Sequence, residues 1–488
     1  MMVILLAIGR ASAGNTCDVG GPGDAGLITL NGHNYATIDQ AVAAAGAGDT
    51  ILVCQGTYAT SAVIERSITL RAVDGPAVTR LDGIFDPAGI PSIVWVLKIR
   101  APGLSAPTVD GFSIVGVETT FAGIQVTAGS ELVLTNSLVF GNDRGLQLDA
   151  TANLVMLDTE VFGNSSGGVL ALGHNVLNLS GSAVWGNVGL DGAGLSLRDD
   201  VTVVGGDVYA NQAAERGGGV FVEGTATLLW TKIEGNTSEK DGGGAYVALA
   251  DGGSLTAVDT TFDGNYAWER GGGLFLEGPV KDASTRGTTS LDLDRCSIAG
   301  NRTEGSGGGI WSGALRVTTR DTPIDANVAV YGGGLFVVDT NGAGSDYDGL
   351  TVTNNQASSC AGIDVDQIQA QTRFAGAFVG KNVAAFSGGG VCVGLPTPSA
   401  VPFAGVSFLG STIADNVAGT EGGGFRFRGD QQTVFSESTI TESTIERNTA
   451  GSGGGGFEID EHHVRVVGAV VRDNQASEGQ GARLIGAG

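Results

Sequence analysis

Asparagine recurs along this chain at a spacing that leaves few folds open. It stands at Asn142, Asn164, Asn187, Asn211, Asn236, Asn265, Asn301, Asn327, Asn355, Asn382, Asn416, Asn448 and Asn474, thirteen copies 22 to 36 residues apart. Three residues before every copy lies an apolar side chain, from Val139 and Val161 to Ile445 and Val471, although only 42% of the chain is hydrophobic. A glycine cluster follows most copies, as at 217–219, 242–244, 271–273 and 307–309. An alternating strand follows each cluster, such as Val220-Phe221-Val222-Glu223 or Leu274-Phe275-Leu276-Glu277. A period of this length, built from period-2 strands with almost no helical pattern, predicts a β-solenoid. One coil is three short strands joined by turns, and only stacking of coils buries a continuous core. The asparagine tolerates unusual backbone angles at a turn, and its amide can bond the next asparagine one coil away, forming an internal ladder. The glycines permit a turn that side chains would block. About thirteen coils at ~4.8 Å give a rod of about 60 Å.

The rest of the chain fits around that array. Residues 1–13 read as an export signal: Met1 to Ile8 is mostly apolar and Ala11-Ser12-Ala13 precedes Gly14. The segment has no basic residue before the apolar run, and Arg10 follows it, as a start placed too late would produce. A linker at 14–26 leads to a cap at 27–83. There Thr37-Ile38-Asp39-Gln40 forms a capping box ahead of the helix formers 41–45, and such a helix can cover one end of a sheet stack. The repeats fill 84–488, with the C-terminus falling in mid-coil. No stretch approaches 18 apolar residues, so no transmembrane helix is expected. The 83 glycines show no G-X-Y period, which excludes collagen. With 26 basic against 51 acidic residues, the net charge of −25 opposes nucleic-acid binding. It disfavours anionic polysaccharides as well, unless a cation bridges. Of the five cysteines, Cys17 with Cys54 and Cys360 with Cys392 are possible pairs in an oxidising compartment, and Cys296 reads as a small buried thiol.

The segment from Tyr35-Ala36-Thr37-Ile38 through Gly48-Asp49-Thr50-Ile51-Leu52-Val53 to Gly56-Thr57-Tyr58 resembles the N-terminal cap of right-handed parallel β-helix proteins of the pectin-lyase-like superfamily. The repeats, as in Phe262-Asp263-Gly264-Asn265 followed by Gly271-Gly272-Gly273-Leu274, resemble the F-x-x-N and G-G-A-[ILV] repeats of polymorphic outer membrane proteins. Most copies here have Val or Ile for Phe, and a third Gly for Ala. The resemblance implies an all-β, right-handed parallel β-helix with an N-terminal capping helix. It also implies a secreted or surface-displayed passenger, often adhesive. That family ends in an outer-membrane β-barrel, which is not found in this sequence.

In the strand after each glycine cluster, the second residue should face outward. Down the stack that position reads Gln147, Leu170, Ser196, Phe221, Tyr246, Phe275, Trp311, Phe336, Asp364, Cys392, Arg426, Glu458 and Arg483. Five consecutive aromatics, Phe221, Tyr246, Phe275, Trp311 and Phe336, form the candidate ligand-binding face, suited to a glycan or to a surface protein of a host or neighbouring cell. The opposing reading is that inserted loops fold over the row. A second run, Phe140, Phe162, Trp185 and Tyr209, lies two residues before successive asparagines. The catalytic alternative rests on Asp364 and Asp366, which alternate along one strand, and on Arg426 and Arg428 two coils later. Such groups serve glycoside hydrolysis, or Ca²⁺ held beside an arginine base. The plain reading of these charges is cross-strand pairing. No Trp-x-Asp-His or His-Gly signature accompanies them, and no metal or cofactor is expected: the nonapeptide Ca²⁺ repeat is missing, and adjacent His462 and His463 should point to opposite faces. The expected function is therefore a non-catalytic, exported surface passenger with an adhesive or envelope-structural role. The alternative is a polysaccharide lyase or glycoside hydrolase on the same fold. No oligomeric state follows from the sequence.

Overall fold

The structure, a computed structural model, describes residues 27–84, 95–116, 122–248, 253–277, 290–313, 316–338, 345–366, 368, 371–394, 404–429, 437–460 and 462–485. The export segment, the linker and Cys17 lie outside the described residues.

The chain is a right-handed parallel β-helix. Each coil gives one strand to each of three sheets in turn. Glu131–Thr135, Leu138–Phe140 and Arg144–Leu148 make one coil, and Asn153–Leu157, Glu160–Phe162 and Val169–Ala171 make the next. They pair in register, Leu132 beside Leu154, Val139 beside Val161 and Leu146 beside Val169. The period-2 alternation explains the core: Leu132, Leu134, Val139, Leu146 and Leu148 all point inward and are fully buried. Farther along, Tyr347, Phe374 and Phe408 stack inside the core with ring centroids 4.8 Å apart at each step.

Two expectations about the coils are corrected. The second and third sheets hold sixteen strands each, not thirteen. The early strands Gly56–Thr60, Thr79–Gly83 and Ser113–Val115 belong to the same stack but precede Asn142. The rod is therefore about 75 Å long. From Val188–Asp191 onward a coil also has four strands, not three: a fourth sheet of ten short strands runs down to Thr449–Ala450. It forms because the backbone just past each ladder asparagine pairs with the coil before it, as where Gln212 N–H donates to the Asn187 carbonyl at 2.9 Å.

All thirteen ladder asparagines are buried. In Asn236, the backbone N–H and Nδ2 both donate to Asn265 Oδ1, at 3.0 and 3.1 Å, and Nδ2 also donates to the Val208 carbonyl at 2.9 Å. One amide thus ties three coils together. The strained residue is not the asparagine, as the turn argument supposed, but the one before it. That position is left-handed in all thirteen copies, glycine in six (such as Gly235, φ 59°) and non-glycine in seven, including Ala210 at 53° and Lys381 at 58°. The amide's bonding fixes the asparagine itself, so the chain reversal falls on its neighbour. The glycine cluster has a second role beyond turning. A Cβ on Gly244 would lie 2.9 Å from Asn265 Nδ2 and 2.6 Å from the Gly273 carbonyl, so the ladder can sit there only against a bare backbone.

The cap helix runs Ile38–Ala44, with Thr37 as N-cap accepting from Gln40 N–H at 3.2 Å. Its buried Ile38, Ala41 and Val42 join the rod's core. Cys360 and Cys392 form a disulfide between successive coils. Cys296 is a buried free thiol, donating to the Ala257 carbonyl.

Candidate functional site

The outward row is one continuous column. Phe221 pairs with Tyr246, Tyr246 with Phe275, Phe275 with Trp311, Trp311 with Phe336 and Phe336 with Asp364. Asp364 then pairs with Cys392, Cys392 with Arg426, Arg426 with Glu458 and Glu458 with Arg483. The five rings stack with centroids 4.3 to 6.5 Å apart and planes within 16° of parallel.

The open aromatic face expected from the sequence is corrected. Phe221, Tyr246 and Phe275 are at most 5% exposed, and Trp311 and Phe336 are half-buried. Two things cover them. First, stacking turns each ring's faces toward its neighbours, so the inner rings offer no free face to a sugar. Second, a parallel column of side chains lies over the rings, five residues upstream in each coil: Asp191, Arg216, Asp241, Arg270, Ser306 and Tyr331 are bridged strand to strand. Arg216 holds its guanidinium carbon 5.2 and 5.0 Å from the rings of Phe221 and Tyr246, and Arg270 covers Phe275 and Trp311 at 4.7 and 5.2 Å. Each guanidinium is held in place by two bonds to the aspartate one coil back, Arg216 to Asp191 at 3.0 and 3.1 Å and Arg270 to Asp241 at 2.9 and 2.8 Å. Burial, together with Glu277, which accepts from its hydroxyl at 2.7 Å, pushes the Tyr246 phenol well above its ordinary value. The spacing of five was legible in the sequence as Arg216 with Phe221 and Arg270 with Phe275. The alternation Asp, Arg, Asp, Arg down that column was the signal missed.

Beyond Phe336 both columns change. The covering column becomes Ser359, Ser387 and Glu421, and the ring column becomes Asp364, Cys392 and Arg426. Two adjoining cavities open at this change, of about 530 and 490 Å³, sharing Ser306, Phe336 and Asp366. Both carboxylates of the catalytic alternative, Asp364 and Asp366, are nearly buried on the strand Ile363–Asp366 and line the larger cavity, as do Arg426 and Arg428. The structure thus brings all four residues to one cavity. Burial raises the Asp364 carboxyl well above the usual range, the charge of Asp366 adds to this, and Arg426 opposes it. Arg426 is itself engaged, with Glu421 at 3.2 Å and the Ser387 hydroxyl at 2.7 Å. Arg428 is exposed. A carboxylic acid kept protonated beside a second carboxylate is the state a general acid needs. A guanidinium already bonded to a glutamate and a serine is poorly placed to act as a base. Ligand atoms of Cys360, Asp364 and Cys392 lie within 4.8 Å of one another, but the two sulfurs are bonded to each other, which leaves a single carboxyl and no metal centre there.

The other two charged features are structural. Glu458, nearly buried, is paired by Arg483 at 3.4 Å. His462 is buried and bonded to the Ser438 hydroxyl at 2.9 Å, burial lowers its pKa to about 4, and His463 is exposed.

No family model matches the chain, and no curated protein matches it. Among solved structures the chain is similar to a double mutant of the periplasmic alginate epimerase AlgG, with 8% identity, a TM-score of 0.37, and 88% of this chain and 85% of that chain covered. So distant a likeness says nothing of activity. The assignment to the parallel β-helix fold follows from the strand pairing. No helix among the described residues is long and apolar enough to cross a membrane.

Proposed function

We propose that the chain is an exported, non-catalytic β-helix rod of the bacterial cell surface, with an adhesive or envelope-structural role. The observation that carries this reading is the lengthwise bonding of its outward columns. Asparagine amides, ring stacks and Asp–Arg pairs all join one coil to the next, which serves the stiffness of a rod rather than the convergence of an active site. The Cys360–Cys392 disulfide suits an oxidising compartment, in line with export. Surface labelling of intact cells, with protease shaving, tests the reading. Loss of the protein from shaved cells is expected, and retention of a fully protected protein in the cytoplasm would overturn it.

A second reading keeps the polysaccharide-active alternative, because the buried Asp364, its carboxyl pushed up by burial and by Asp366, lies beside Asp366 in a cavity. It calls for cleavage of some glycan that Asp364→Asn abolishes without unfolding the rod. A broad polysaccharide screen, with and without Ca²⁺, that yields neither reducing ends nor unsaturated products would retire it.

A further inference from the structure

The covering column follows a rule that stops after Arg270. Arg216 lies over the ring of its own coil and that of the next, and Arg270 two coils later does the same. Two coils later again, the place of the arginine is taken by Tyr331, which is 48% exposed, and the place of the aspartate before it by Ser306. Under this gap lie Phe336, half-buried, and Asp364 on the next coil. The ring and the two cavities are therefore found where a third guanidinium would sit. Asp364 is only 8% exposed and lines the larger cavity, yet no described residue hydrogen-bonds or ion-pairs with its carboxyl. Asp366 lines both cavities.

We propose that this gap is a binding site for a guanidinium group supplied from outside the chain, stacked on Phe336 and bonded to the Asp364 carboxylate. The chemistry is that of the two internal examples, in which a guanidinium lies against aromatic rings while a carboxylate of a neighbouring coil holds it. A net charge of −25 favours approach of a cation. Of the two arginines lining the cavity, Arg426 acts on Asp364 only through its charge, being held by Glu421 and Ser387, and Arg428 is exposed. Burial, and then the charge of Asp366, push the Asp364 carboxyl up, so a guanidinium competes with its proton and binding strengthens as pH rises. The group could belong to an arginine side chain of a partner protein or to a small guanidinium compound. The site does not depend on export or on the surface role proposed above.

The test is calorimetric titration of the full chain with N-acetyl-arginine amide, beside N-acetyl-lysine amide, methyl glucoside and acetate. One saturable site preferring the arginine probe is expected, weakened about tenfold by Asp364→Asn and by Phe336→Leu. Tyr331→Arg restores the column's rule from within, so it should abolish probe binding and raise Tm. An arginine-containing peptide that binds more tightly than the single amide assigns the site to a protein partner, and equal binding assigns it to a small molecule. Absence of binding, preference for the glucoside or acetate, or an affinity unchanged in both Asp364→Asn and Tyr331→Arg would overturn the proposal. The conservative Asp364→Asn keeps the test decisive should Tyr331→Arg fail to fold.

Discussion

Two aromatic ladders run along the same rod, and they differ in what lies over them. Phe140, Phe162, Trp185 and Tyr209 stack on the second sheet at 4.7 to 5.9 Å, with planes within 12° of parallel. Phe221 to Phe336 stack on the third sheet in the same way. The first ladder stays open: Tyr209 is 38% exposed, and its neighbours are half-buried, with Trp185 Nε1 bonded to Glu160 at 3.1 Å. The second is closed by the guanidiniums of Arg216 and Arg270. The once-per-coil repeat alone produces a stack, since identical positions fall about 4.8 Å apart. Burial of that stack is a separate matter, decided by whether a second column of the right chemistry lies beside it.

The contrast can be broken most strongly at the rings. Phe275→Ala empties a buried, stacked site and should cost about 3–5 kcal/mol, whereas Phe162→Ala in the open ladder should cost about 1 kcal/mol, read as denaturant midpoints. Equal costs would show that the guanidinium cover adds nothing to burial. Both ladders depend on the asparagine column, so Asn211→Ala should weaken both. It removes the Oδ1 that accepts from Asn187 N–H and Nδ2 and the Nδ2 that donates to the Val184 carbonyl, at about 3 kcal/mol. Arg270→Ala uncovers Phe275 and Trp311 and should cost about 1–2 kcal/mol, with new binding of an apolar dye. The cost is limited because the guanidinium is itself partly exposed.

Alkaline titration sharpens the comparison. The Tyr209 phenol is raised by burial, then by Glu160 and Asp207, and Tyr246 is pushed up much further by burial and Glu277. Tyr209 should therefore ionise first in ultraviolet difference spectra, with Tyr246 the last of the pair. Because the folded-state value of Tyr246 lies above the unfolded one, the unfolded chain ionises first. The folded state then loses stability as pH climbs past about 10, and Tyr246→Phe should remove that part of the loss. The smallest effect lies at the turn below the open ladder. Ala210→Gly relieves a left-handed alanine and should raise stability by about 0.5 kcal/mol, measured as a small rise in Tm.

Much of the fold was legible because a solenoid is nearly one-dimensional: a residue's contacts are its own repeat position one coil away. The asparagine spacing set the register of the whole outward column, from Gln147 to Arg483, and the alternation set which side chains face the core. The coil count fell short because the first coils carry no ladder asparagine to mark them. The candidate site was only half visible. Asp364, Asp366, Arg426 and Arg428 were identified as a group, but the cavity they share depends on Tyr331 and Ser306, whose polar side chains drew no attention on their own.

The sequence by itself therefore determined the repeat, the register and the order of side chains along each column, since these follow from spacing and strand periodicity. Only the tertiary structure decided which column lies over which. The covering column approaches the rings across the turn at the glycine cluster, where bare backbone lets Arg216 fold back over Phe221 and Tyr246. That lateral approach depends on the path of the turn in three dimensions, and it determines why one ladder is buried, the other is open, and a gap remains above Phe336.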